Sequence, residues 1–464
     1  MAAFGVIKRN DLIRWYTVLP DFYHKLIRKV LIEISLKLYN SEIHKRDKPI
    51  KLDKENHIKI LVFHNLLMEL ITTVIYLDNA ATTKMDDAVL KKMIPYLTTE
   101  YGNPGTIYPL GRRALDAVTE AREKVASFIG AKPDQIIFTS GGSESNNLVI
   151  KGLYSSDYND YSKHQILTTP IEHDSIRRAI WSVENRANSD IVRFLTINKS
   201  GVLKSEFPDD LDLDDVDLVS AMLMNNETGL ENDLSFIKKA KKNHRFLFHT
   251  DCVQAAGVIP LDVDDIGCDF MSISSHKLHG PKGVGALYVR DKTLLDPIIS
   301  GGLAQEFGLR GGTENVAGIV GFGEACAITQ ELFDLKKNTY SDIMNLFLCR
   351  LSDRLIRLGI EDTFHLNGDK KYNPGKTISI RFSGVDSETL VLALAQAGVY
   401  VSSGSACTSH ESVPSHVLTS IGLSNDEARE TIRVSFSRYI TAYDIDSAAN
   451  MIANTVYLLS SGKI

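Results

Sequence analysis

The sequence predicts an α/β protein: a large domain with a mostly parallel sheet flanked by helices, then a smaller C-terminal α+β domain. Short β-branched or apolar runs alternate with longer segments whose apolar residues recur at helical spacing, a pattern typical of parallel strands joined by crossover helices. The chain also has 464 residues, more than one hydrophobic core usually serves. We predict an extension at residues 1–70, a large domain at 71–335 and a small domain at 336–464.

The first 67 residues differ in composition from the rest of the chain. They hold 13 Lys and Arg against 7 Asp and Glu, and a single glycine. Apolar residues recur at helical spacing from Tyr23 to Leu38. Three interpretations stay open: an accessory helix, a targeting segment, or translated upstream sequence with the true start at Met68. Its acidic residues count against a mitochondrial presequence, and we expect an appendage without a catalytic role.

Composition disfavours several classes of protein. The most apolar stretch, residues 58–77, is interrupted by Lys59, His64 and Glu69, so it is too polar for a membrane span. No apolar segment of a secretory signal follows the first basic residues. A net charge of −6 argues against general nucleic-acid binding. The five scattered cysteines predict neither a disulfide framework nor a zinc site. We expect a cytoplasmic protein without metal, membrane association or direct nucleic-acid contact.

The predicted elements of the large domain begin with a β-branched strand at residues 71–77. A helix follows at 112–129, with apolar residues along one face. The alternation of further strands and helical segments predicts the parallel sheet. These further strands are predicted at 135–139, 165–169, 218–224, 245–249 and 270–274.

A polar stretch at residues 333–339 marks the predicted domain boundary. A long helix follows it, with Ile343, Phe347, Leu351 and Leu355 on one side. Strands at 377–382 and 432–436, interspersed with helical segments, predict the smaller α+β domain.

The first candidate for chemistry is Lys277. It follows the strand at 270–274 and enters a glycine-rich stretch, with hydroxyl side chains and His276 beside it. A lysine amine whose pKa is lowered forms Schiff bases with carbonyl compounds. A lysine in a loop is ordinarily solvated, so the hypothesis depends on its neighbours.

Two further motifs lie at the ends of predicted strands. Asp251 follows an apolar strand at the edge where open α/β sheets bind ligands, although it could instead cap a helix. The turn at residues 140–143, Ser-Gly-Gly-Ser, joins a strand to a helix, where backbone N–H groups and the helix dipole favour a phosphate. It matches no nucleotide-binding fingerprint, and a plain tight turn is the alternative.

His173 and Cys407 complete the set of candidate residues. The imidazole of His173 could stack on an aromatic cofactor and move protons near neutral pH, or be structural. Cys407 lies in the run Ser402-Ser-Gly-Ser-Ala-Cys-Thr-Ser409, whose small polar residues indicate an exposed thiol rather than a core cysteine. Taken alone, it would be a passive surface thiol.

Together these motifs resemble the cysteine desulfurases, the NifS/IscS-like group of the class V aminotransferase superfamily. The resemblance runs from Tyr76 to Arg438, with its motifs in the family's order, and implies a fold type I pyridoxal-phosphate enzyme. The matching stretches are Tyr76–Thr83, Thr139–Asn147, Glu172-His173, Asn225–Gly229, His249–Gln254, Ser275–Lys277, Arg310–Asn315 and Ser402–Cys407.

The resemblance implies roles for these residues. Lys277 would bind pyridoxal 5'-phosphate covalently, Asp251 would pair with its pyridine nitrogen and Gln254 with its ring hydroxyl. His173 would stack on the ring, Asn226 would lie near it, and Arg433 would bind the substrate carboxylate, a role that suits a planar guanidinium. The phosphate would be held by Gly142, Ser143, Ser274 and His276, with Thr313 from the second subunit of a homodimer.

The resemblance also implies an activity. L-cysteine would be converted to L-alanine while its sulfur forms a persulfide on Cys407, for transfer to a protein acceptor in iron–sulfur cluster assembly or nucleic-acid thiolation. A selenocysteine lyase on the same scaffold is the alternative enzyme, and a degenerate protein that only docks partners is the alternative outside catalysis. The complete set of Lys277, Asp251, His173 and Cys407 argues against the latter.

Three departures from the family pattern bear on the pocket. Tyr108 replaces a usual histidine, the segment 301–307 differs from the usual glycine-rich form, and Ser143 stands where threonine is frequent. Ser143 keeps the hydroxyl. The other two changes leave the substrate preference open.

Overall fold

The structure is a computed structural model, and it describes residues 74–155, 165–187, 191–335, 340–404 and 414–462. The predicted extension, its helical segment and Met68 therefore lie outside the described residues, as does Cys407. Residues 75–464 form one compact unit. The predicted boundary between a large and a small domain at residue 335 stays a prediction.

A sheet of seven strands among the described residues forms the centre of the unit. Its strands are β2 (Ile136–Thr139), β3 (Gln165–Thr168), β4 (Val192–Phe194), β5 (Val216–Ser220), β6 (Leu247–Asp251), β7 (Phe270–Ser274) and β8 (Gly285–Val289), and β1 (Ile75–Tyr76) precedes them in the chain. The order across the sheet is β2-β8-β7-β6-β5-β3-β4. The strand β8 alone runs in the direction opposite to the other six strands. The predicted mostly parallel sheet is therefore confirmed.

The helices of this part of the chain are α1 (Asp87–Thr98), α2 (Pro109–Phe128), α3 (Gly142–Leu153), α4 (Asp174–Ala187), α5 (Ser235–Ala240), α6 (Val263–Ile266) and α7 (Val316–Asp334). Their starts follow from local sequence: the Asp86 side chain accepts from the Ala88 N–H at the start of α1, and Pro109 opens α2. Helix α3 packs on the sheet, and α7 packs against α1 and α2.

Helix α7 is the one described helix long and apolar enough to cross a membrane by length and composition. It lies within the protein core, where Ile319, Phe322 and Ala325 are buried. Its apolar composition is thus explained by the face that packs against α1 and α2.

A second, antiparallel sheet lies in the C-terminal part of the unit, with the order β12-β13-β10-β9. Its strands are β9 (Phe364–Leu366), β10 (Thr377–Phe382), β12 (Ser402–Ser403) and β13 (Thr431–Ser435), while β11 (Val399–Tyr400) pairs in parallel with β1. The accompanying helices are α8 (Tyr340–Leu358), α9 (Ser387–Gln396), α10 (His416–Ser420), α11 (Asn425–Arg429) and α12 (Ala442–Ser460).

The loop that follows β5 presses closely on the start of β10. Gly229, in this loop, has a φ of +73°, and a Cβ at this position would overlap the carbonyl oxygen of Thr377. Asn373 bridges the same two segments, because its Nδ2 donates to the carbonyl oxygens of Thr228 (3.2 Å) and Thr377 (2.8 Å). The large parallel sheet and the antiparallel sheet are therefore joined here by backbone contact.

The structure corrects two details of the predicted elements. The run at 218–224 forms a strand only at Val216–Ser220, because the chain then leaves the sheet for a buried loop whose first N–H groups still pair with the end of β6. The strands β4 and β8 were not predicted. The segment of β8 follows a glycine-rich loop with no helix before it, so it returns antiparallel rather than by a crossover.

Candidate active site

The predicted site motifs lie in loops at one edge of the central sheet. Parallel strands end at the same edge, and β2 also points that way because it is antiparallel to β8, which is itself antiparallel to β7. The turn at 140–143, His173, Asn226 and Lys277 follow β2, β3, β5 and β7, respectively, and Asp251 is the last residue of β6. This is the edge at which open α/β sheets bind ligands.

Asp251 and His173 belong to one hydrogen-bond network. Asp251 is buried; its Oδ1 accepts from the Val253 N–H at 2.9 Å and its Oδ2 from Asn146 Nδ2 at 2.8 Å. Asn146 also donates to Ser175 Oγ at 2.9 Å, and Ser175 Oγ lies 2.8 Å from Nδ1 of His173. The backbone N–H of Ser175 donates to the same Nδ1, so that nitrogen is an acceptor and the ring N–H is at Nε2. The carboxylate and the imidazole are thus held in fixed positions.

Lys277 and Gln254 meet at one backbone oxygen. Lys277 Nζ donates to the carbonyl oxygens of Ala80 (2.5 Å) and Ala81 (2.8 Å). Gln254 Nε2 donates to the same Ala80 oxygen at 3.0 Å, while its buried Oε1 has no partner among the described residues. The turn after β1 therefore holds both side chains at the site, and Gln254 retains an acceptor for a ligand hydroxyl.

The helix start at Gly142 has the backbone arrangement of an anion site. Gly141 has a φ of +153°, and a Cβ on Gly142 would lie 2.5 Å from the Val253 side chain, so the backbone approaches the loop after β6 too closely for a larger residue. Ser143 is exposed in the first turn of α3. The N–H groups of this turn and the helix dipole favour negative charge.

Ser274 and His276 face the same region from the end of β7. Ser274 is buried, and no described residue pairs with its Oγ, while an ideal Cβ on Gly141 would lie 3.7 Å from that oxygen. His276 Nδ1 lies 3.1 Å from Thr82 Oγ1. Burial, with the positive charges of nearby lysines including Lys277, lowers the pKa of His276 to about 4, so its ring is neutral at neutral pH.

Arg433, on β13, reaches the site from the antiparallel sheet. It is buried, its Nη2 donates to Asp78 Oδ1 at 2.8 Å, and its Nη1 donates to the backbone oxygen of Asn226 at 3.1 Å. Its Nε and the Oδ1 of Asn226 are buried without a partner among the described residues. The guanidinium is thus paired with the Asp78 carboxylate in this structure, and its Nε–H is available to a second carboxylate.

The chain after the Cys407 segment is attached to the same site. Ser415 Oγ donates to a carboxylate oxygen of Glu227, and His416 Nε2 donates to the backbone oxygen of Glu172 at 2.9 Å. On the other side, Ser402 and Ser403 form β12 and pair with β13. Cys407 itself lies outside the described residues, but both flanks of its segment are anchored next to the predicted catalytic groups.

Two buried carboxyl groups accompany this anchor. Burial, reinforced by the charge of Asp251, raises the pKa of Glu172 to about 8. Burial also raises the pKa of Glu227 to about 7, against the opposing hydrogen bond from Ser415 and the charge of Arg433. Glu172 therefore keeps most of its proton at neutral pH and Glu227 is about half protonated there, which limits the negative charge around His173.

Thr313 is the predicted site residue that the chain does not bring to the others. It is exposed, next to Gly312 with its φ of +108°, and has no described contact with Ser274 or His276. This position suits a residue that acts on another subunit, but a single chain leaves that prediction untested. No group of three or more His, Cys, Asp or Glu among the described residues could hold a metal ion.

Comparison with known proteins identifies the same family that the sequence motifs resemble. The class-V aminotransferase family matches residues 75–447. The cysteine desulfurase IscS of Methanosarcina thermophila is 37% identical over 404 residues, which cover 86% of this chain and 96% of the relative. The chain belongs to the cysteine desulfurase family. The predicted resemblance is confirmed.

Solved structures agree with this membership. A NifS-like protein matches with a TM-score of 0.73 and 33% identity, covering 82% of this chain and 99% of that chain. A structure titled SspA in complex with cysteine matches with a TM-score of 0.63 and 33% identity, covering 79% and 99%. The predicted fold class of this cysteine desulfurase family member is therefore confirmed.

The structure adds site residues to which the sequence gave no role. Asn146 lay within a quoted motif, but an asparagine inside a helix gives no sign that it binds Asp251. His416 and Ser415 follow the cysteine segment, and only their proximity to Cys407 in the sequence could have drawn attention to them. Lys376 is buried beside Lys277, although the local sequence Pro-Gly-Lys is typical of an exposed turn.

Proposed function

We propose that this protein is a pyridoxal-phosphate-dependent cysteine desulfurase that converts L-cysteine to L-alanine and receives the sulfur as a persulfide on Cys407. The observation that carries the proposal is the meeting of Lys277, Asp251 and His173 at one sheet edge, each held by defined hydrogen bonds. Family membership supports the same activity, as does the cysteine complex of a similar structure.

The residues present fit pyridoxal 5'-phosphate. A buried carboxylate, Asp251, suits a protonated pyridine nitrogen, and the free Oε1 of Gln254 suits the ring hydroxyl. The unpartnered Oγ of Ser274 and the close backbone at Gly142 suit the phosphate, together with Ser143 and His276. When bound, this cofactor withdraws electrons from the substrate carbon next to the amine.

The protein's own groups then carry the remaining tasks. Arg433 would bind the substrate carboxylate through its unpartnered Nε, with Asn226 beside it. Lys277 would remove the proton from the substrate α-carbon, and the imidazole of His173 would move protons at Nε2.

Sulfur transfer requires a thiolate from Cys407. Its sulfur attacks the substrate sulfur, so that an S–S bond forms while the carbon–sulfur bond of the substrate breaks. The electron pair of that bond stays with the carbon skeleton, which takes up a proton and leaves as alanine. The persulfide then passes to a protein acceptor, in iron–sulfur cluster assembly or nucleic-acid thiolation, within the cytoplasm.

A homodimer is part of the same proposal. Ile107 and Leu303 are 86% and 88% exposed, and large apolar side chains of this exposure are typical of interaction surfaces when they cluster. Thr313, ten residues after Leu303, is also exposed. A second subunit would cover these side chains and place its Thr313 at the phosphate site.

The experiment that tests the function follows both products. Purified protein with pyridoxal 5'-phosphate and a thiol reductant is expected to release alanine and sulfide from L-cysteine in equal amounts. Lys277→Ala is expected to release neither, because no other group would remove the α-proton, while Lys371→Ala, at an exposed site, serves as the matched control. Sustained alanine production by Lys277→Ala would contradict the assignment, and faster turnover of L-selenocysteine would favour the lyase alternative.

A further inference from the structure

Lys376 is a fully buried lysine next to the active site. It immediately precedes β10, after Gly375 with its φ of +106°, and its side chain is 1% exposed. No carboxylate of the described residues lies within ion-pair distance of its amine. A buried ammonium without an opposite charge is costly, so a lysine in such a place ordinarily has a specific reason to be there.

The partner of Lys376 is the backbone of Lys277. Lys376 Nζ donates to the carbonyl oxygen of Lys277 at 3.0 Å. That carbonyl belongs to the short helical turn at Ser275–Lys277, which follows directly on β7. The hydrogen bond therefore fixes the main chain from which the Lys277 side chain extends.

Positive charges surround the Lys376 amine. Burial, followed by the charges of Lys277 and Arg438, lowers the pKa of Lys376 to about 7. His276 and His279 face the same group, and the charge of Lys376 contributes to lowering the pKa of each. Asp86, which pairs with Arg438 of this cluster, is also hydrogen-bonded by Tyr439.

Repulsion between two titrating groups is mutual. If the charge of Lys277 opposes protonation of Lys376, a proton on Lys376 equally opposes a proton on the Lys277 nitrogen. A Schiff-base lysine reacts through its unprotonated nitrogen, and a neighbouring cation is one known means of favouring that form.

We propose that Lys376 is a positioning residue for Lys277: its amine holds the Lys277 backbone carbonyl, and its charge disfavours protonation of Lys277 Nζ. This inference rests on the proposed function, because it assigns a purpose to the environment of the cofactor-binding lysine. It adds a second lysine, from the antiparallel sheet, to a site otherwise built by loops of the central sheet.

The test is a spectroscopic titration of the cofactor-loaded protein, in which visible absorbance reports the proton on the Lys277 nitrogen. Lys376→Met, which removes the amine but keeps the volume, is expected to raise the titration midpoint by about one pH unit. Lys376→Gln keeps a donor without charge and is expected to shift the midpoint in the same direction. Lys376→Arg keeps the charge and is expected to restore the low midpoint. Lys371→Met removes an exposed charge from the same segment and should leave it unchanged.

The outcomes separate the two proposals. Wild-type protein without any absorbance from a lysine-bound cofactor would contradict the proposed function. Loaded Lys376→Met and Lys376→Gln with wild-type midpoints would overturn the inference alone. If no variant at position 376 folds or binds the cofactor, the titration curve of the wild-type protein is the test. Coupling between two amines makes this curve span a wider pH range than the titration of a single proton. A curve that fits a single proton would overturn the inference.

Discussion

His416 donates a hydrogen bond from its Nε2 to the backbone carbonyl oxygen of Glu172, 2.9 Å away. Glu172 directly precedes His173, and His416 follows the segment that contains Cys407. Burial and the charge of Arg177 lower the pKa of His416, so its ring is neutral at neutral pH and keeps this donor. The contact ties the chain that follows the proposed sulfur-accepting thiol to the residue beside His173, the group proposed to move protons.

Loss of the hydrogen bond between His416 and Glu172 should affect sulfur transfer more than removal of the substrate α-proton. His416→Ala is expected to lower the rate of sulfide release about tenfold, because Cys407 is then less well placed for attack. Exchange of the substrate α-proton with deuterated solvent, followed by NMR, should continue. The exposed His365 provides the control His365→Ala, and equal losses of exchange and sulfide release in His416→Ala would contradict the assigned role.

Cys407→Ser should separate the two halves of the reaction. The variant is expected to bind L-cysteine and change the absorbance of the cofactor, yet to release sulfide at least about a hundredfold more slowly, because a hydroxyl is a poor nucleophile toward sulfur. Sulfide assays and mass spectrometry of the persulfide check this. Cys349→Ser removes the one exposed thiol among the described residues and should be active. Full turnover by Cys407→Ser would exclude the thiol from the mechanism.

Arg433→Lys should weaken recognition of the substrate carboxylate. The lysine retains a charge but loses the planar donors, so KM for L-cysteine is expected to rise about tenfold or more, with a smaller change in kcat. Cysteamine lacks the carboxylate, and its inhibition constant should change little. An equal loss of affinity for both compounds would instead indicate a structural defect after Asp78 loses its partner.

The buried carboxyl of Glu172 predicts a pH dependence of stability. Its pKa in the folded protein is raised from 4.5 to about 8, so the folded state holds a proton that the unfolded state releases. Stability from this group is complete below about pH 4.5 and is lost as the pH rises towards 8. Denaturant unfolding at fixed cofactor concentration should show a decline on the order of 5 kcal/mol across this window.

Glu172→Gln should remove much of that decline, because the amide does not titrate. Glu227→Gln provides a comparison, since Glu227 contributes in the same direction but only up to about pH 7. An unchanged slope in Glu172→Gln would show that this carboxyl is already ionised in the folded protein.

The exposed apolar side chains predict the state of association. Wild-type protein is expected to sediment as a dimer, and Ile107→Asp combined with Leu303→Asp as a monomer with reduced cofactor retention, because the partner's Thr313 is lost. Leu392→Asp changes an exposed leucine on α9 and should leave the dimer intact. A monomeric wild-type protein at the same concentration would reject the shared site.

The sequence predicted well which residues lie at the sheet edge. Each apolar strand is recognisable from its own residues, and Asp251, Lys277 and the turn at 140–143 stand at or just after the end of one. The sequence could not predict contacts between distant segments. The burial of Lys376 depends on how β10 packs against the turn after β7, and the pairing of Asn146 with Asp251 depends on the placement of α3. The antiparallel course of β8 was likewise decided by the length of its connection rather than by its own residues.

The close approach of Gly229 to Thr377 makes the site sensitive to a substitution at a residue that takes no part in the reaction. Gly229→Ala would add a methyl group that pushes the loop containing Asn226 away from the strand that begins after Lys376. Substrate recognition and the setting of the reactive lysine would then fail together, although neither residue had changed. Inactivating changes in this enzyme can therefore arise from spacing alone, at a position that no list of reactive groups would include.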